Sequence, residues 1–115
     1  VLATGTRNRR LPLPGMDLDN VLGLRTLADA ETLRDKLAGA SRLAVIGGGF
    51  IGLEVAATAR ASGLAVTVLE ATPRLMSRVV SPPVSDYFLS VHRATGIDVR
   101  LDTMARAIVD GGTGK

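Results

Sequence analysis

One stretch of about thirty residues constrains this chain more than any other. Leu43-Ala44-Val45-Ile46 is short and wholly apolar, as expected of a parallel strand covered on both faces. Gly47-Gly48-Gly49-Phe50-Ile51-Gly52 ends it. An alanine-rich helical stretch then runs from about Phe50 to Ser62 and is closed by Gly63. Ala65-Val66-Thr67-Val68-Leu69 repeats the buried-strand pattern and stops at Glu70. Strand, glycine turn, helix and strand make a βαβ unit, which predicts an α/β fold with a parallel sheet.

The glycines satisfy G-x-G-x-x-G in the context that gives the pattern meaning: strand before, helix after, and an acid 23 residues beyond Gly47. Gly47 permits the tight turn out of the strand. Gly49 has no side chain to keep a pyrophosphate from the backbone. Gly52 lets the helix pack close to the sheet, with Ala56 and Ala59 following on the same face. The helix start offers unpaired N–H groups and a positive dipole end. Glu70, followed by Ala71, can accept a hydrogen bond from a ribose 2′-hydroxyl and would repel a 2′-phosphate. The pattern therefore points to NAD, with NADH favoured over NADPH. The candidate cofactor-binding residues of the pattern are Gly47, Gly48, Gly49, Ile51, Gly52, Glu70 and Ala71. Two alternatives stand beside this: an S-adenosylmethionine-binding fragment, since those enzymes share the acid after the second strand, and a scaffold that has lost nucleotide binding.

The rest of the chain reads around this unit. Val1-Leu2-Ala3-Thr4-Gly5 resembles the tail of a buried strand turning at Gly5. Residues 6–24 carry Pro12, Pro14, Gly15 and Gly23, a linker composition. Thr26 opens a helix through a weak capping box with Asp29, with Leu27, Ala30, Leu33 and Leu37 near one face and Gly39 as the stop. After a loop over 71–80, Ser81-Pro82 reads as N-cap and first helical residue, and the helix runs to about Thr95 and Gly96. Ile97, Val99 and Leu101 alternate with Asp98, Arg100 and Asp102, which places a half-exposed strand at the sheet edge. Met104 to Val109 is a further strand candidate, and Asp110-Gly111-Gly112 a turn. Gly112-Thr113-Gly114-Lys115 hints at a P-loop and fails it, because Val109 stands where the first glycine is required.

Composition removes whole classes of function. The chain has 115 residues, enough for one domain or part of one. It has no cysteine and one histidine, so disulfide chemistry is excluded and no metal site is expected. No apolar run is long enough to cross a membrane. Of 14 basic side chains, Arg7, Arg9 and Arg10 lie in the first ten residues, and the other 11 balance the 11 acids. With aromatics at only 3%, a nucleic-acid partner is not expected. Three clustered arginines can instead dock an acidic protein, although such a cluster is commonly a solvated loop. His92 is expected to be solvated or satisfied in its helix. The first residue is valine and no signal peptide is visible, so an excised piece of a cytoplasmic protein is expected.

Ala3-Thr4-Gly5, then Leu24-Arg25-Thr26-Leu27 with Asp29-Ala30, then Gly47 to Glu54 as GGGFIGLE, occur in one order, followed by Glu70 to Arg78 and Pro82-Pro83-Val84-Ser85. In this the chain resembles the flavoprotein reductases built on two dinucleotide folds, in particular the ferredoxin, rubredoxin and putidaredoxin reductases that serve oxygenases and cytochromes P450. The resemblance implies a truncated Rossmann-type three-layer domain with a parallel sheet. Residues 1–41 would be the end of an FAD-domain strand, a linker and a helix, and 42–115 an NAD domain incomplete at its C-terminus. It implies FAD in a longer parent, NADH as donor and a small acidic iron–sulfur protein, ferredoxin or rubredoxin, as acceptor. The isolated chain should then neither hold FAD tightly nor turn over alone. It also implies roles. Phe50 would cover the flavin's nicotinamide face, or else be a core phenylalanine. Glu54 would lie near the nicotinamide, or else be a first-turn partner of the helix dipole. Arg25 would contact FAD phosphate, and Arg78 the adenosine end of NAD, with Arg74 ambiguous beside it. No residue is assigned a catalytic role.

Overall fold

The computed structural model describes residues 1–111. Six elements follow in order: α1 (Leu27–Ala38), β1 (Arg42–Ile46), α2 (Phe50–Ala61), β2 (Ala65–Leu69), α3 (Pro82–Ala94) and β3 (Asp98–Arg100). They fall into two compact units, Gly39–Ala105 and Val1–Ala38 with the described part of Arg106–Lys115.

In the first unit β1 pairs β2 and β2 pairs β3, all parallel, in the order β1-β2-β3. The edge position expected for the third strand is met. Two successive crossovers in one direction place α2 and α3 on the same side of the sheet, and His92 of α3 does lie against the Leu53 carbonyl of α2. The described residues of this unit thus build the sheet and one helical layer. Leu53, Ala56 and Ala59 of α2 and Val66, Val68, Ile97 and Val99 from the strands are buried between them. Both helices end alike. Gly63 and Gly96 take positive φ, their N–H groups bond back to Arg60 and Arg93, and Leu64 and Ile97 follow as buried apolar residues. That is the Schellman stop, and it fixes where each strand begins.

One feature of β1 departs from expectation. Its apolar run is not covered on both faces: Arg42, Ala44 and Ile46 alternate exposed with half-buried Leu43 and Val45. Within the described residues of this unit, the side carrying Val45, Val68 and Val99 is the one packed by α2 and α3. The wholly apolar composition reported the strand correctly and its covering incorrectly.

In the second unit α1 begins with a complete capping box. Thr26 N–H donates to Asp29 Oδ2 at 2.8 Å, and Asp29 N–H donates to Thr26 Oγ1 at 3.2 Å. Asp29 thus does the work that Glu or Gln does in the commoner box, and hydrogen bonds to its carboxylate from the Thr26 backbone, the Thr26 side chain and the Arg25 backbone hold its pKa below the usual range. The apolar face expected on α1 is not buried: Leu27 is exposed and Leu33 and Leu37 are half-buried. Neither Val1–Gly5 nor Met104–Val109 forms a strand. An apolar run becomes a strand only where a partner ladder exists, and Val1, Leu2, Met104 and Val109 stand exposed. The Ile108 N–H instead makes a single bond to the Pro14 carbonyl at 2.8 Å. Of the three clustered arginines, Arg10 is paired with Asp17 and also reaches the Met16 carbonyl. Gly112 to Lys115, including the rejected P-loop and the end of the expected turn, lie outside the described residues.

Candidate functional site

The site is assembled where β1 and β2 end side by side. Gly47 has φ +108°, a conformation that disfavours any side chain, and its N–H carries the β1–β2 ladder one step further to the Leu69 carbonyl at 2.8 Å. At Gly49 the chain becomes the N-cap of α2. No side chain caps it, the first turn holds no acid, and a side chain built there would meet nothing within 4 Å. The positive end of α2 is therefore open to an anion. At Gly52 the situation reverses, since an added Cβ would lie 2.3 Å from the Gly47 carbonyl oxygen.

Gly48, the position the motif leaves unspecified, makes the connection to Glu70. Its N–H donates to Glu70 Oε2 at 2.7 Å, and its carbonyl accepts from Met76 N–H at 3.0 Å. Glu70 Oε1 accepts from the Thr72 N–H at 2.8 Å and the Thr72 hydroxyl at 2.7 Å. Partial burial pushes the Glu70 pKa up. The Thr72 hydroxyl, the Gly48 and Thr72 N–H groups and the Arg78 charge together outweigh it, and the carboxyl is held below its ordinary value near 4.5. A carboxyl with a lowered folded pKa adds stability that is complete above its unfolded value and lost as pH falls through the folded value. The stability advantage of the wild type over Glu70→Gln should therefore shrink as pH is lowered from 6 to below 4.5. Denaturant unfolding of both at a series of pH values reads this directly. A constant difference across that range would show that the carboxylate gains nothing from these partners.

The 71–80 loop is held rigidly around this carboxylate. Arg74 spends its guanidinium internally, on the Val80 carbonyl (2.7 Å), the Ser77 carbonyl (2.6 Å) and the Ser85 hydroxyl (3.0 Å). These bonds make it a residue of the loop's own structure. Ser85 Oγ, almost fully buried on α3, donates to the Leu75 carbonyl at 2.6 Å. Met76 takes a positive φ of 50° to bring its N–H to Gly48. Removing the hydroxyl by Ser85→Ala strands a buried carbonyl and one Arg74 donor, which costs about 1–3 kcal/mol. Thermal unfolding checks this, and an unchanged Tm would show that the serine bonds are dispensable.

The remaining candidates are distributed unevenly. Phe50 and Ile51 project from the first turn of α2 and are 50% and 56% exposed, so the core-phenylalanine alternative is set aside. Glu54 is exposed and lies one residue beyond the first turn, which removes its dipole-partner alternative. Arg78 and Ala71 are exposed on the loop beside Glu70. Arg25 belongs to the other unit, where its Nε donates to the Thr6 carbonyl at 3.4 Å. His92 is buried, with Nδ1 2.8 Å from the Phe88 carbonyl. Among the described residues no group of His, Asp or Glu could hold a metal, and no helix is long and apolar enough to cross a membrane. Thr72, Ser77 and Ser85 were not singled out by sequence. The available signal was a threonine two residues after a strand-end acid, the spacing at which a side chain bonds a local N–H.

The chain is 52% identical over 108 residues to rhodocoxin reductase of Rhodococcus erythropolis, which covers 94% of this chain and 25% of that protein. It is 47% identical over 112 residues to the ferredoxin–NAD(+) reductase component of a p-cumate 2,3-dioxygenase system of Pseudomonas putida, 97% of this chain and 28% of that one. A crystal structure of a ferredoxin reductase from Rhodopseudomonas palustris superposes with a TM-score of 0.93 at 49% identity, over 96% of this chain and 27% of the other. The chain thus spans about a quarter of the length of these relatives. The model of the pyridine nucleotide-disulphide oxidoreductases matches residues 1–114, and the chain belongs to that family.

Proposed function

We propose that residues 42–115 are the NADH-binding part of a flavoprotein reductase, and that residues 1–41 are the end of an FAD-domain strand with its linker and helix. The observation that carries this is the Gly48–Glu70 bond at the mouth of an uncapped helix. It sets a ribose acceptor beside an anion site, the two contacts a dinucleotide needs at its adenosine end. A carboxylate offers about four acceptor positions. Gly48 and Thr72 use three, and one on Oε2 remains for a ribose hydroxyl.

In this reading Gly49 and the first turn of α2 receive the pyrophosphate, and Glu70 with Ala71 receives the ribose. Arg78 lies over the adenosine. Exposed Phe50 covers the nicotinamide face of the flavin and keeps water from it, with Ile51 and Glu54 nearby. Arg25 contacts FAD phosphate. When bound, NADH would supply a hydride to a flavin, and a small acidic iron–sulfur protein would take the two electrons one at a time. The names of the relatives, reductases of ferredoxin and rhodocoxin, support that acceptor class. The reading places the protein in the cytoplasm, where NADH is available.

Calorimetric titration of the chain with NADH, NADPH and S-adenosylmethionine tests the proposal. NADH should bind at least about tenfold tighter than NADPH, the scale of one hydrogen bond to a charged group. A folded chain that takes S-adenosylmethionine, or none of the three, would overturn it in favour of the methyl-donor or scaffold alternative.

A further inference from the structure

We infer that Thr72 is a positioning residue that fixes the Glu70 carboxylate from the side opposite Gly48, so that the carboxylate meets a ribose through Oε2 alone and cannot turn aside for a 2′-phosphate. The inference rests on the nucleotide reading above and deepens it from cofactor class to the basis of discrimination.

Thr72 occupies both acceptor positions of Oε1, one through its N–H and one through its hydroxyl. The hydroxyl has a single proton and three oxygens within reach: Glu70 Oε1 at 2.7 Å, the Arg74 carbonyl at 2.9 Å and Ser77 Oγ at 3.3 Å. The ionised carboxylate is the strongest acceptor and the closest, so the proton goes there. Thr72 is itself anchored. Its carbonyl accepts from Asp102 N–H at 3.1 Å, and Glu70 is bonded through its own backbone to Arg100 and Thr103. Rotating the carboxylate away from an incoming phosphate breaks three hydrogen bonds at once. A carboxylate held only by Gly48 could swing aside; this one keeps its charge where a 2′-phosphate would lie.

The test compares Thr72→Val, which keeps the shape and removes the hydroxyl, with Thr72→Ser, which keeps the hydroxyl. Affinities for NADH and NADPH are measured on the full chain, with Glu70→Ala alongside. Thr72→Val should narrow the preference for NADH by about tenfold, the scale of one hydrogen bond to a charged group, by weakening NADH and strengthening NADPH. Thr72→Ser should restore it to within about twofold. An unchanged preference in Thr72→Val, or an equal loss for both nucleotides in both variants, overturns the inference and leaves Thr72 a structural residue of the loop. If Glu70→Ala also leaves the preference intact, the ribose reading of the site fails, and the inference falls with it.

Discussion

Gly52→Val should lower the stability of the Gly39–Ala105 unit by about 3 kcal/mol and abolish nucleotide binding with it. The site lies where α2 crosses the end of β1. A Cβ on residue 52 would sit 2.3 Å from the Gly47 carbonyl oxygen and 3.1 Å from Val45 Cγ1. The carbonyl has nowhere to go, because Gly47 is fixed by its positive φ and by its bond to Leu69. Helix propensity alone favours replacing a helical glycine, by at most about 1 kcal/mol, so the sign depends on the clash. A backbone oxygen at that distance forces the helix away from the sheet, opening the packing of Leu53, Ala56 and Ala59. Gly48→Ala is the informative comparison. Its Cβ meets Leu75 Cδ2 at 2.5 Å, the end of a flexible side chain, and should cost less. Denaturant unfolding of both variants measures the order. A Gly52→Val chain with the wild-type midpoint would show that α2 does not depend on close approach at this point.

The parts of the fold legible in sequence are those with local punctuation. Gly63, Ser81-Pro82 and Gly96 mark helix ends because a positive φ or a missing N–H admits few residues, and β2, α3 and the edge strand follow from them. The clustering of Gly47, Gly48, Gly49, Gly52 and Glu70 was legible for the same reason, since turn, close approach and strand end each restrict residue type. No strand forms at 1–5 or 104–109 among the described residues, because an apolar run carries no information about whether a partner ladder is present. The covering of β1 was misread because apolar composition does not say which face a helix takes. What no pattern announced was how the 71–80 loop is held. Its order comes from Arg74 reaching Val80 and Ser77 within the loop and Ser85 on α3, and from Met76 in a left-handed conformation, none of which an apolar or glycine pattern marks. Thr72 belongs to that loop, so its hold on Glu70 was invisible while Glu70 itself was plain.

Glu70→Ala should weaken NADH by about ten- to hundredfold, the value of a hydrogen bond to a charged acceptor, and should strengthen NADPH. The two changes have different origins. The loss for NADH is the missing acceptor on Oε2, the one position left free by Gly48 and Thr72. The gain for NADPH is the removal of a carboxylate whose pKa is held low, so that it is fully ionised at neutral pH. With the acid gone, Arg78, whose charge acts at this position, remains to attract a phosphate. Salt separates the two effects. Repulsion between ions is screened over about 8–10 Å at physiological ionic strength, while a direct hydrogen bond is screened far less. Raising salt should therefore narrow the wild-type preference by improving NADPH relative to NADH, and should change the preference of Glu70→Ala much less or in the opposite direction. A wild-type preference that ignores salt, together with an unchanged preference in Glu70→Ala, would move the basis of discrimination off this carboxylate altogether.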